Sequence, residues 1–237
     1  MSRKSLVDKS LSATLVHGIL ICYSILALWP IFLVVSNSFK SRKGIFNDPM
    51  AVPTAETFST IGFDKVLGRS NFDVYFLNSI TVTVMTLGIT LLIGAMAAWA
   101  LAGYKYRLNT LLAFYLAIGI MVPIRLGTVS ILKLVVAMGL MNSLTALILV
   151  YIAMSLPLTI FILNEFMQQI PNDLKEAARC DGVSEYRIFF QIILPLTKPA
   201  IATVGVFTMV PVWNDLWFPL ILTADDSVRT VTLGVQQ

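Results

Sequence analysis

The chain has 237 residues, 57% apolar and only 13% charged, with a mean hydropathy of +0.82. Soluble domains carry about a quarter charged residues, so the surplus apolar surface is expected to face lipid. The net charge of +4 is spread thinly, without the dense basic block that a nucleic-acid partner needs. Two separated cysteines, Cys22 and Cys180, and one histidine, His17, exclude a disulfide framework and a typical zinc site, and no cofactor is expected.

In chain order, the basic opening Met1–Lys9 has the look of a secretory signal, but the apolar run behind it is too long and ends in no small-residue cleavage pattern. It reads as an uncleaved first span, about Leu11–Phe39, broken at Pro30. Further spans are expected at about Phe72–Gly103, Leu108–Val122, Leu144–Phe166 and Pro199–Leu222, with a continuation of the third beyond Pro123 left open. About 20 residues are needed to cross the hydrocarbon. Each must be a helix, because lipid offers a lone segment's backbone groups no other partner. The fold class is all-α: a polytopic membrane helical bundle, a single transmembrane domain over residues 1–237.

Between the third and fourth spans, Arg125–Met141 carries Arg125 and Lys133 and is too charged for a confident span. It reads as a short interfacial or cavity-wall helix, ended by Gly139 and Asn142. Gly94, Ala98 and Ala102 repeat every four residues in the second span, a pattern that lets helices approach closely within the chain or at a subunit contact. His17 reads as an interfacial residue without chemistry. Counting Lys and Arg on alternate loops gives nine against eight, so charge alone leaves the orientation open.

The polar loop Gln168–Ala200 is the most informative stretch. Pro171-Asn172-Asp173 reads as a helix start with Asn172 or Asp173 as the cap. Leu174–Cys180 suits a short helix and Gly182 its left-handed stop. Ser184 suits the cap of a second short helix that Pro195 and Pro199 end. Two short helices around a sharp turn, held outside the membrane, are placed to touch a soluble partner. Within the loop, Glu176-Ala177-Ala178, Gly182 and Ile192-x-Leu194-Pro195 fit the pattern EAA-x3-G-x9-I-x-L-P without a gap. The chance of that match is roughly 10⁻⁸ per starting position.

These residues resemble the EAA motif of permease subunits of ATP-binding-cassette (ABC) importers. Asn78-Ser79, Ala97–Arg107, Met121-Val122-Pro123 and Trp213-Asn214 look like the carbohydrate-importing, maltose-type branch, and the resemblance runs from about Leu11 to the end. It implies a bacterial inner-membrane protein with a cytoplasmic N-terminus and a cytoplasmic loop over 168–200. It also implies partners: two ATPase subunits, a second and non-identical permease, and a periplasmic or lipid-anchored solute-binding protein, in addition to lipid. The family has six spans where five are counted, which implies a chain truncated before the sixth.

Glu176, Ala177, Ala178, Asp181, Gly182, Ile192, Leu194 and Pro195 are the expected ATPase-coupling residues. Ala177 and Ala178 are small enough to enter a partner's groove, while Ile192, Leu194 and Pro195 are expected to seat the loop against the spans. Alone, Glu176 would be a carboxylate favoured by the helix dipole, and the two alanines mere helix formers. Asn78, Trp213 and Asn214 are candidates for the substrate path, with an interfacial belt or helix packing as the plainer reading of the last two. Asn78 suits a bond to a neighbouring helix, and Arg125 suits snorkelling to head groups. No G-x-x-x-x-G-K-[ST] loop is present, so ATP is expected to be hydrolysed by another chain. An ion-coupled carrier would need ionisable groups inside the spans and internal repeats, which the sequence lacks. An intramembrane enzyme would need a catalytic set, which it lacks too.

Overall fold

The computed structural model describes residues 3–69, 71–104 and 106–236. Lys105 and the side chains of Arg3, Lys4, Lys9 and Arg69, all used in the charge count, lie outside the described residues. Among the described residues there is no β-strand, only an isolated bridge between Lys40 and Phe58. The chain forms two compact units, Met1–Ser70 and Asn71–Gln237.

The first unit holds α1 (Arg3–Ser38), α2 (Arg42–Asn47) and α3 (Ile61–Arg69). Contrary to expectation, Pro30 does not break α1. In lipid no alternative conformation offers the backbone better partners, so one missing N–H is tolerated. Beyond α1 the chain closes a small loop. Ser41 accepts from Gly44 N to cap α2, and Phe39 stacks on Phe58 at 6.3 Å. Lys40 is buried, its Nζ donating to the Asp48 carbonyl at 2.9 Å.

The second unit is built on α4 (Phe72–Gly103) and α7 (Leu144–Gln168). The buried side of α4 includes Asn78, Val82, Thr86, Thr90, Gly94 and Ala98, one every fourth residue. Such a stripe drifts by about 40° per step around a 3.6-residue helix, so its two ends face different neighbours. Near its start, Asn78 Nδ2 donates to the Ser227 and Arg229 carbonyls at 2.9 and 3.0 Å. Near its end, Gly94 lies so close to α7 that a Cβ there would meet Thr159 Cγ2 at 2.4 Å. The small-residue stripe is thus packed within the chain.

Helix α5 (Asn109–Met121) stops before Pro123, and Ile124–Ala137, which contains α6 (Thr128–Ala137), leaves it at 86°. The third segment does continue past Pro123, but nearly at a right angle. Gly139 (φ +66°) and Asn142 (φ +55°) then turn the chain into α7. Asn142 Oδ1 accepts from Ala224 N at 2.7 Å, tying this turn to the C-terminal segment. Helix α7 runs through Pro157 unbroken. After α8 (Asn172–Cys180), α9 (Glu185–Arg187), a π-helical stretch (Ile188–Ile193) and α10 (Leu194–Leu196), the chain bends by 75° into α11 (Lys198–Asn214). The fifth expected span is divided: α11 ends at Asn214 and α12 (Trp217–Leu222) begins after a two-residue break. A last turn, α13 (Val231–Gly234), packs Gly234 against the Tyr75 ring. Ala13–Ser38, Phe72–Gly103 and Leu144–Gln168 are long and apolar enough to cross a membrane, and the bent pairs bring the number to as many as five.

Candidate functional site

The loop between α7 and α11 is a folded unit. Helix α8 begins with Pro171 at the cap position, one residue earlier than expected. Asn172 is already helical and accepts from Lys175 Nζ at 3.1 Å. The end of α8 is closed as the spacing predicts. Gly182 adopts φ +73°, Gly182 N donates to the Arg179 carbonyl and Val183 N to the Ala178 carbonyl, both at 3.0 Å. That paired closure around a left-handed residue satisfies two carbonyls that the helix leaves over. A Cβ at Gly182 would meet nothing within 4 Å, so backbone conformation, and no neighbour, selects glycine here.

Ser184 occupies the cap position of α9 as expected, though its side chain makes no capping bond. Pro195 does not end the helix that follows, which corrects the sequence reading. A helical proline clashes with the carbonyl four residues back, here that of Gln191. The chain answers by widening: Leu194 N bonds to the Phe189 carbonyl, five residues back, and the run continues to Leu196. The elbow into α11 is Thr197, 2% exposed, whose Oγ1 donates to the Ile193 and Leu194 carbonyls at 3.0 and 3.1 Å. Pro199 lies in the first turn of α11, where a proline fits.

The faces of this unit are sharply divided. Ala178, Ile188, Phe189 and Ile193 are buried in one core with Ala95, Ala98 and Trp99 of α4 and Leu163 and Met167 of α7. Ile192 and Leu194 pack against that core while Pro195 is exposed. Glu176, Ala177, Cys180, Asp181 and Gly182 are exposed. Ala178 therefore faces its own chain, and of the two motif alanines only Ala177 is open to a partner.

Four side chains that sequence reasoning passed over hold the unit together. Arg179 Nε bonds Glu185 Oε1 at 2.6 Å across the glycine turn, and Tyr104, at the end of α4, donates to Glu185 Oε2 at 2.9 Å. The Arg179 guanidinium, followed by the Tyr104 bond, outweighs partial burial and holds the Glu185 carboxyl below its usual range. Burial first, then the bond to Glu185, raises the Tyr104 phenol. Lys175 is 3% exposed, with its ammonium 5.6 Å from the centre of the Trp99 ring. Burial, and then the nearby Arg179 charge, lowers its pKa. The only local signal was the opposite charge of Arg179 and Glu185, three residues either side of Gly182. Between α4 and the second short helix lies a hollow of about 270 Å³, lined by Trp99, Tyr104, Glu185, Tyr186, Phe189 and Phe190 among others.

The substrate-path candidates fall in three different settings. The amide of Asn78 is engaged by two carbonyls, as above. Trp213 meets Phe76 of α4 edge-on at 5.9 Å, and its carbonyl accepts from Thr232 Oγ1 at 2.9 Å. Asn214 is exposed and donates to the Val210 carbonyl of its own helix at 2.8 Å. Next to it, Asp215 accepts from Tyr151 Oη at 2.8 Å and from Phe218 N at 3.1 Å, closing the break before α12. Arg125 is exposed, and its guanidinium lies 5.6 Å from the centre of the Trp217 ring. Among the described residues no group of three or more His, Cys, Asp or Glu is placed to hold a metal ion.

Residues 90–236, more than half of the chain, match the model of the binding-protein-dependent transport system inner membrane component family. The chain is similar to the diacetylchitobiose uptake system permease protein NgcG of Streptomyces coelicolor, with 33% identity over 94% of this chain and 73% of that one. It is also similar to the melibiose/raffinose/stachyose import permease protein MelC of Bacillus subtilis, with 31% identity over 94% and 79%. Among solved structures, a bacterial ABC transporter involved in import of the acidic polysaccharide alginate matches with a TM-score of 0.78. That match covers 100% of this chain and 80% of the other at 22% identity, and so bears on the fold.

Proposed function

The chain belongs to the binding-protein-dependent transport system inner membrane component family, and from that premise we propose that it carries a sugar or small oligosaccharide into the cytoplasm, driven through the loop 168–200. It is the multi-pass inner-membrane permease subunit of an ABC importer. Its part is translocation, with ATPase, solute-binding and second permease partners. The sugar reading is supported by relatives that take up diacetylchitobiose and melibiose, raffinose and stachyose.

The observation that carries the coupling reading is the division of faces in the loop. Glu176, Ala177, Asp181 and Gly182 form an exposed edge, while Ile192 and Leu194 anchor the unit to the core of the spans. A partner that moves the edge moves α4, α7 and α11 with it. In this reading two ATPase subunits engage the permease pair, this loop and the N-terminus are cytoplasmic, and the second permease is a different chain. ATP-driven closure biases the spans between inward- and outward-facing states. Trp213 and Asn214 lie along the solute's route, and Asn78 supports it by fixing the C-terminal segment.

The test is purification of the whole complex from its host in mild detergent, with wild type, Gly182→Arg and Gly182→Asn. Asparagine tolerates the left-handed conformation, so it separates strain from obstruction of the exposed edge. The ATPase is expected to accompany wild type and Gly182→Asn and to be lost with Gly182→Arg. ATPase retained by Gly182→Arg at wild-type yield overturns the assignment of the docking edge.

A further inference from the structure

Two apolar helices of the second unit are short for a membrane crossing, and their broken ends meet. Helix α5 starts beside the end of α4, where Asn109 Nδ2 donates to the Leu101 and Tyr104 carbonyls at 3.2 and 2.7 Å. Its 13 residues rise about 20 Å before the chain turns at Pro123. Helix α11 starts on the same side, at the coupling loop, and its 17 residues rise about 25 Å. Both fall short of the roughly 30 Å hydrocarbon thickness. Measured along α7 from its other end, the α11 break gives a matching length. Tyr151, which bonds Asp215 at the α11 break, lies about 11 Å into α7, a helix about 37 Å long.

The two breaks touch each other. The Arg125 guanidinium lies over the Trp217 indole at 5.6 Å. Trp217 Nε1 donates to Thr128 Oγ1 at 3.0 Å, and that hydroxyl donates to the Arg125 carbonyl at 2.6 Å. Backbone that leaves the helix at membrane depth persists only when buried in protein or lining a watery cavity, and here burial is incomplete. Arg125 and Asn214 are exposed, and Trp217 keeps 40% of its surface open. Among the described residues no carboxylate lies within ion-pair distance of Arg125. A charge set where two apolar helices break off is the kind of group that marks a solute pathway.

We propose that Arg125, Asn214 and Trp217 form a solute contact in which a sugar ring packs its C–H face on Trp217 while its hydroxyls bond to Arg125 and Asn214. This rests on the sugar reading above. The chemistry is that of a polyhydroxylated ring, apolar on its face and polar at its rim. It matches an aromatic surface bordered by a few fixed polar groups. Thr128 and the Arg125 cation hold the indole in one orientation. The amide nitrogen of Asn214 is engaged by its own helix, which leaves its Oδ1 to accept from a hydroxyl.

The complete importer, reconstituted in proteoliposomes with its binding protein, tests this with labelled maltose, trehalose, melibiose and diacetylchitobiose as probes. For a probe that wild type imports, Trp217→Ala and Arg125→Gln are expected to raise the half-saturating concentration roughly tenfold. Trp217→Phe, which keeps a ring, is expected to restore it to within about threefold. Equal loss of maximal rate in Trp217→Ala and Trp217→Phe, at unchanged half-saturation, makes the contact a packing or subunit element and overturns the proposal. Wild-type kinetics in all three variants overturn it as well, while the sugar reading stands. Import of none of the four probes by wild type overturns the sugar reading and, with it, the proposal.

Discussion

Glu185 receives three donors, two from Arg179 and one from Tyr104, and so joins both short helices of the loop to α4. Its folded pKa is lowered, so the carboxylate's contribution to stability is present above the ordinary carboxyl range and is lost as pH falls through the lowered value. The two side chains of the ion pair are 38% and 42% exposed, so solvent screening limits that contribution to at most about 1 kcal/mol. Glu185→Gln is expected to lower the thermal stability of the purified complex slightly at neutral pH and to leave it unchanged at strongly acidic pH. A pH-independent difference in unfolding temperature would disprove the charge pairing. Gly182 was legible in the sequence because a helix stop is a local event, settled by one residue's backbone. The inward face of Ala178 was not legible, because α8 is short and polar and its burial is decided by residues of α4 and α7. Lys175 makes the same point: it was counted as a loop charge, and it is buried because Trp99, distant in sequence, receives its ammonium.

Among the elements, prolines were the least readable. Pro30 and Pro195 were both expected to interrupt helices, and both lie within helical runs. The local rule lost once to lipid, which offers no competing partner for the backbone, and once to a widened turn that makes room for the ring. The close approach of α4 and α7, by contrast, was foreshadowed by Gly94, Ala98 and Ala102, because small residues are needed wherever backbones come near. Gly94→Ala would place a Cβ at 2.4 Å from Thr159 Cγ2 and is expected to destabilise the bundle by about 1–3 kcal/mol. Adding Thr159→Ala is expected to recover much of that loss, so a double-mutant cycle by detergent denaturation should show coupling; additive effects would place the strain elsewhere. The Thr86 hydroxyl in the same stripe is buried without a hydrogen-bond partner among the described residues. Thr86→Val is therefore expected to be neutral or mildly stabilising in the same assay.

On the scale of the whole molecule, composition alone separated the chain from soluble proteins, and the five apolar stretches fall on α1, α4, α5, α7 and, divided after Asn214, α11 with α12. What composition could not give was a side. Basic residues were balanced at nine against eight, and some of them, Lys40 and Lys175, are buried in local contacts and do not report on head groups. Orientation can be measured through the two cysteines, Cys22 within α1 and Cys180 on the exposed edge of the loop. With a cytoplasmic loop, a membrane-impermeant maleimide is expected to label Cys180 in inside-out vesicles and to leave it unlabelled in intact spheroplasts. The reverse pattern would turn the topology over.

The shared core beneath the loop has one more consequence. Ala178, Ile188, Phe189 and Ile193 hold their places against Ala95, Ala98, Trp99, Leu163 and Met167, which the ribosome completes before them, and against Ala200 and Val204, which follow. The loop is thus not a portable motif. A synthetic peptide of residues 168–200 has nothing to fold upon and makes a poor decoy for the ATPase, and a graft into another permease must carry its floor along with it.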